Sequence, residues 1–259
     1  MKIPDKAELK VFLDEKAGLY NRPGFIASDP VSIPHLYSKK EDIEIAAFLS
    51  ATIAWGQRPV ILKNARLLMT LMEDSPHDFI LHFKSAELKR FKNFKHRTFQ
   101  GEDCIAFLKH LQFVYRKHGG LEAVVQQAIR EDDTDLRNAI LYWRSLFCSI
   151  PHLQRTEKHF PDPEKGSAAK RLNMFLRWMI RADNKGVDFG LWKSISPSLL
   201  TCPLDVHSGR VARSLGILNR SQNDWKAAAE LTAYLRTLDP EDPVKYDYAL
   251  FGLGVSEKF

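Results

Sequence analysis

Leu199-Leu200-Thr201-Cys202-Pro203-Leu204-Asp205-Val206-His207-Ser208-Gly209-Arg210-Val211-Ala212-Arg213-Ser214-Leu215-Gly216 is a short apolar approach, a proline, and then a carboxylate where a helix begins. An aspartate at that point accepts hydrogen bonds from the first amides of the helix, which have no partner within it, and gains from the positive end of the helix dipole. Beyond Asp205, Val206, Val211 and Leu215 are apolar while Arg210 and Arg213 are basic. The spacing predicts an amphipathic helix over 205–215, closed by Gly216.

The same helical period extends in both directions. Downstream it recurs over 225–238 and 243–253, separated by Asp239-Pro240 and Asp242-Pro243 and ended by Gly252 and Gly254. Upstream, residues 168–181 interleave Leu172, Met174, Phe175, Leu176, Trp178, Met179 and Ile180 with Lys170, Arg171, Arg177 and Arg181. Between these helices, 184–203 reads as an extended connection around a short turn at 189–192. Further helices are predicted over 6–19, 40–55, 60–72, 76–83, 86–91, 102–118, 121–130 and 135–150. Of these, 40–55 is apolar on nearly every side, as suits a helix in the middle of a fold. The proline-broken stretches 22–38 and 151–166 read as loops. Strand alternation and repeats are absent, so the fold class is all-α with about ten helices. No Gly-rich phosphate loop, HExxH or GxSxG occurs, which removes support for P-loop and Rossmann readings.

With 259 residues, 44% of them hydrophobic, the chain can bury a substantial core. Its +6 net charge permits an anionic partner. That excess is concentrated: residues 84–118 hold Lys84, Lys89, Arg90, Lys92, Lys95, Arg97, Lys109, Arg116 and Lys117 against Glu87, Glu102 and Asp103. A solvated helix face is the plainer interpretation of such a run. Cys104, Cys148 and Cys202 lie far apart in no CxxC pattern, so no disulfide framework, metal site or iron–sulfur cluster is expected. The first residues lack the apolar core of a leader, and no stretch approaches the roughly 18 apolar residues of a membrane span. A cytoplasmic monomer, not associated with membranes, is expected.

Gly166-Ser167-Ala168-Ala169-Lys170-Arg171-Leu172-Asn173 has a glycine, a lysine and an asparagine in the register G-x-G-x-K-T-A-N, and Pro203-Leu204-Asp205-Val206-His207 looks like V-D-V-H with Leu204 in place of the first valine. In these two segments the chain resembles the helix-hairpin-helix DNA glycosylase superfamily, the group of endonuclease III and 8-oxoguanine glycosylase. Ile45-Ala46-Ala47-Phe48-Leu49-Ser50-Ala51 is similar to that family's buried L-L-S-A helix, and 225–254 to its last two helices. The resemblance implies a two-lobed helical fold with a modified helix-hairpin-helix, lobe A over about 1–50 plus 185–259 and lobe B over about 51–184, with DNA across the cleft between them. It also implies excision of a damaged, oxidised base, joined in bifunctional members to abasic-site lyase chemistry.

In that chemistry a carboxylate stabilises the positive charge that develops on the sugar as the N-glycosidic bond breaks, a role the resemblance gives to Asp205. A lysine amine attacks C1′ and forms a Schiff base, which falls to Lys170. Backbone amides around Gly166, Ser167 and Ala168, with Arg171 and Asn173, would hold phosphate. Gln57 and Arg58 sit where family members probe the opened duplex, and His207 with Arg210 would contact phosphate or orient Asp205. A helix cap for Asp205, a solvated first-turn lysine for Lys170 and a partly buried structural histidine for His207 are the plainer alternatives. Ala168 replaces the second glycine of the hairpin, and 35 residues separate Lys170 from Asp205, more than the family norm. Two other functions fit the residues: a nucleic-acid-binding module without catalysis, and an enzyme of RNA or small molecules that uses the segment around Val187-Asp188-Phe189-Gly190-Leu191-Trp192 as a pocket wall.

Overall fold

The computed structural model describes residues 5–257 and Phe259; Met1 to Pro4, read above for a leader, and Lys258 lie outside the described residues. The fold is all-α. The described strand content is one two-residue hairpin, β1 Lys95–His96 and β2 Phe99–Gln100, paired antiparallel with Lys95 opposite Gln100. Two-residue strands are too short for a period of two to register in the sequence. The chain divides into two compact units: Met1–Phe25, Asp132–Leu136 and Asp162–Phe259 form one, and Ile26–Glu131 with Arg137–Pro161 forms the other. The helix that starts at Lys170 therefore belongs with the C-terminal helices.

The first unit opens with α1, Lys6–Tyr20. Asp5 starts it by accepting from the amides of Ala7 and Glu8 at 2.8 and 2.9 Å, and Glu8 reaches back to the Asp5 amide. This reciprocal capping box satisfies donors that the helix itself leaves open. Leu9, Leu13 and Ala17 face the core, whereas Leu19, apolar and at the end of the range 6–19, is exposed because it falls off the four-residue row.

The second unit contains α2 Lys40–Thr52, α3 Arg58–Leu71, α4 Pro76–His82, α5 Gly101–Lys117, α6 Leu121–Gln126 and α7 Arg137–Cys148. α2 is buried continuously from Ile43 to Thr52, as its all-round apolar character demands. The prolines of 22–38 start successive 3-10 turns, Pro23–Ser28, Pro30–Ser32 and Pro34–Leu36, so this stretch is tighter than a loop. The core of the unit is aromatic: Phe48, Phe99, Phe107, Trp143, Phe147 and Phe160 are all buried and meet at centroid distances such as 4.9 Å for Phe48–Trp143 and 5.1 Å for Phe147–Phe160.

The chain then returns to the first unit with α8 Lys170–Ile180, α9 Val206–Ser214, α10 Trp225–Leu238 and α11 Tyr246–Gly252. Leu9 and Leu13 pack with Leu204, Val211, Leu215, Leu231, Leu235, Ala249, Leu250 and Leu253 in one apolar cluster. α1 and α11 approach closely at Gly252, where an added Cβ would lie 2.1 Å from Tyr20 Cδ2. The Tyr20 hydroxyl is itself held by Glu257 at 2.6 Å, so the ring cannot move without losing that bond. Gly252→Ala is expected to destabilise the protein by about 1–3 kcal/mol through overpacking, read as a lower urea midpoint at unchanged m-value. An unchanged midpoint would show that the α1–α11 contact gives way freely.

Candidate active site at the starts of two helices

The turn before α8 is built from its own polar groups. Asp162 Oδ1 accepts from the amides of Glu164 and Lys165, and the Asp162 carbonyl accepts from Ser167 N at 3.0 Å. Gly166 N donates to Pro163 O, Ala169 N donates to Ser167 Oγ at 3.2 Å, and Trp225 N donates to Gly166 O. Gly166 (φ +84) and Ala169 (φ +48) carry the left-handed residues of the turn, so the strained non-glycine position is Ala169 and not Ala168. Asn173 is buried and donates to Ala168 O at 3.1 Å, which fixes the turn against α8. Three of the four amides from Gly166 to Ala169 are thus used inside the turn. α8 itself begins at Lys170 with no side-chain cap, leaving its first turn as the anion-attracting end. Arg171 beside it is half-buried; burial pushes its guanidinium down to about 10, so it remains a cation at neutral pH.

α9 begins differently. Asp205 Oδ1 accepts from His207 N at 2.8 Å, Ser208 N at 3.0 Å and Ser208 Oγ at 3.2 Å, while Ser208 Oγ accepts from Asp205 N. The three bonds that the carboxylate accepts all fall on one oxygen. The other, Oδ2, lies 3.8 Å from Lys170 Nζ. That separation is an ion pair and not a hydrogen bond, and both side chains are reachable from solvent, at 27% and 22% exposure. The 34 intervening residues have therefore not pulled the two groups apart. Asp205 is both a helix cap and half of a charge pair, so the two readings offered for it are compatible.

The segment between them is a clamp on α8. Phe189 N and Trp192 N donate to Trp178 O and Met179 O at 2.8 and 2.9 Å, closing the end of the helix, and Trp192 is buried against Phe175. From this segment Asp188 accepts from Arg177 Nε at 3.2 Å and Arg181 Nη1 at 3.0 Å. Arg177 also donates to the buried Asp247, and its guanidinium lies over the Tyr248 ring at 4.2 Å. Burial lifts the Asp247 carboxyl to about 6 against the opposing pull of Arg177 and Lys170. Cys202 donates its thiol to Asp247 at 3.9 Å and is buried, with its titration pushed well up, so it is no nucleophile. Arg177 and Asp188 are named above only within their segments, and Asp247 is a residue the sequence reading missed. Their signal is a charged residue in an otherwise apolar run, such as Asp247 between Tyr246 and Tyr248.

The remaining expected site residues divide by surroundings. His207 is exposed and not partly buried, with its ring 6.5 Å from Phe251. Arg210 is exposed and donates to Gly254 O at 3.0 Å. Val206, expected on the apolar face, is 74% exposed because the first turn of α9 points outward beside Asp205. Gly166 is exposed, and Ser167 and Ala168 are half-buried. Gln57, exposed at the start of α3, and Arg58 belong to the second unit, as do the nine basic residues of 84–118, all of them exposed. Two of the nine are engaged locally: Arg90 with Glu73 at 2.7 Å, and Arg116 with Leu81 O. Among the described residues no helix is long and apolar enough to cross a membrane.

An amine and a carboxylate side by side at two helix starts can carry out nucleophilic attack on an electrophilic carbon with proton transfer between the pair. No curated protein and no solved structure matches the chain. A family model described as "Protein of unknown function (DUF2400)" matches residues 29–256, and the chain belongs to that family.

Proposed function

We propose that this protein is a DNA base-excision enzyme of glycosylase type with abasic-site lyase chemistry, in which Lys170 is the nucleophile and Asp205 the stabilising carboxylate. The observation that carries this reading is the 3.8 Å approach of Lys170 Nζ to Asp205 Oδ2 across 35 residues of sequence, with both groups open to solvent. In the proposed step the neutral amine attacks C1′ of an abasic aldehyde, the carbonyl oxygen leaves as water after proton transfer, and an imine to Lys170 remains. The uncapped start of α8, with Arg171 beside it, offers positive potential for a phosphate.

Borohydride reduction of the protein mixed with abasic-site or 8-oxoguanine duplex is the test. A covalent protein–DNA adduct is expected, and Lys170→Ala is expected to remove it. Absence of an adduct, or one undiminished in Lys170→Ala, overturns the assignment. A second reading, nucleic-acid binding without chemistry, draws on the hairpin, whose amides are largely consumed within the turn. It predicts salt-dependent duplex binding that Asp205→Asn leaves intact, with no base released from any lesion.

A further inference from the structure

We propose that Cys148, His152 and Glu157 form a zinc site of three protein ligands with a fourth position open. Cys148 Sγ, a ring nitrogen of His152 and a carboxylate oxygen of Glu157 all lie within 4.8 Å of one another. Cys148 is the last residue of α7, Pro151 turns the chain, and Glu157 lies in the 3-10 turn Gln154–His159, so a ten-residue reversal brings the three together. The same residues line an open pocket of about 320 Å³ with Ser149, Ile150 and Gln154.

The hydrogen bonds around the cluster suit a metal. His152 Nδ1 lies 2.5 Å from the Ile150 carbonyl, which can only accept, so Nδ1 carries the proton and Nε2 carries the lone pair. A backbone carbonyl holding the far ring nitrogen is the usual support of a histidine ligand. Nε2 faces Glu157 Oε1 at 3.8 Å, too far for a hydrogen bond. A tetrahedral ion with bonds of roughly 2.0–2.3 Å spans ligand pairs roughly 3.3–3.8 Å apart, so a contraction of the 4.8 Å cluster by about 1 Å at its widest pair would close the site. On the far side, Arg144 Nη2 donates to Glu157 Oε2 at 2.9 Å, while its Nη1 donates to Phe160 O at 2.6 Å. Arg144 therefore fixes the carboxylate through one oxygen and leaves the other to act as a monodentate ligand.

The donor set selects the ion. One thiolate, one imidazole and one carboxylate suit zinc, with cobalt(II) as its spectroscopic substitute, and an all-oxygen cation such as magnesium or calcium is disfavoured. Binding releases the Cys148 thiol proton to solvent and forms the metal–sulfur bond. Three ligands beside an open pocket leave the fourth position to water or to an anionic ligand. The inference does not depend on the roles given to Lys170 and Asp205.

The test uses the full, tag-free, reduced protein, stripped with chelator and then titrated with cobalt(II). One equivalent is expected to produce a thiolate-to-cobalt charge-transfer band and tetrahedral visible bands, which zinc then abolishes by displacement. Cys148→Ser should remove the charge-transfer band and weaken zinc binding at least about 100-fold, and His152→Ala should weaken it comparably. Cys148 is exposed, so the serine variant keeps the melting curve of the stripped wild type and the comparison is free of misfolding. Failure to bind cobalt or zinc, or binding that Cys148→Ser leaves unchanged, overturns the site.

Discussion

Asp205→Asn is expected to lower base excision or abasic-site processing at least about 100-fold while shifting the melting temperature by no more than a few degrees. The two effects separate because the carboxylate divides its work by oxygen. Oδ1 accepts the capping bonds from His207 N, Ser208 N and Ser208 Oγ, and Oδ2 faces Lys170. Asparagine caps a helix about as well as aspartate, so its amide oxygen takes over the first task. Its amide nitrogen is a neutral donor, and it supplies neither negative charge against a developing sugar cation nor an acceptor for the proton of the attacking amine. Asp205→Ala, by contrast, loses the cap as well and should cost about 1 kcal/mol of stability. Single-turnover assays on abasic and 8-oxoguanine duplexes, read beside thermal melts, make the comparison. If turnover in Asp205→Asn matches wild type, the carboxylate is only a cap and the role proposed for it fails.

Local rules made much of the fold legible. The three- and four-residue spacing of α3, α8 and α10, the prolines and glycines at their ends, and the carboxylate at the start of α9 each act over a few residues, and each is found where the spacing puts it. What the sequence did not show depends on contacts between distant segments. Leu19 and Val206 fit an apolar stripe but are exposed, because nothing in a periodic pattern says where a core ends. The segment around Asp188 reads as an insertion in linear order, yet it folds back to neutralise Arg177 and Arg181, which lie 11 and 7 residues earlier. The approach of Lys170 to Asp205 was expected only through a resemblance; spacing alone cannot place two helix starts together. Cys148, His152 and Glu157 were passed over because their spacing matches no metal template, and it takes the turn at Pro151 to gather them.

Acid should unfold this protein through one buried histidine. His110 lies within α5 at no measurable exposure, and Trp143 of α7 donates its indole N–H to His110 Nε2 at 2.8 Å. Nδ1 therefore carries the proton, and it finds no hydrogen-bond partner among the described residues. A second proton could enter only at Nε2, breaking the Trp143 bond and placing a cation among Phe147 at 5.3 Å and Phe160 at 6.1 Å. Burial accordingly pushes His110 down from its ordinary 6.5 to about 3, and the charges of His118 and His152 act in the same direction. Between those values the unfolded chain binds a proton that the folded chain refuses. The stabilising contribution is complete above pH 6.5 and drains away as the pH falls towards 3, at about 1.4 kcal/mol for each pH unit. By pH 4.5 the loss is about 3 kcal/mol, a large share of a typical 5–15 kcal/mol total. Urea unfolding across this range, compared between wild type and His110→Gln, isolates the effect. The glutamine oxygen can accept from Trp143 and does not titrate, so the variant should begin less stable at neutral pH and lose stability with acid by about 1.4 kcal/mol less per pH unit. Parallel curves for the two proteins would show that His110 is protonated in the folded state and that the acid sensitivity arises from other groups.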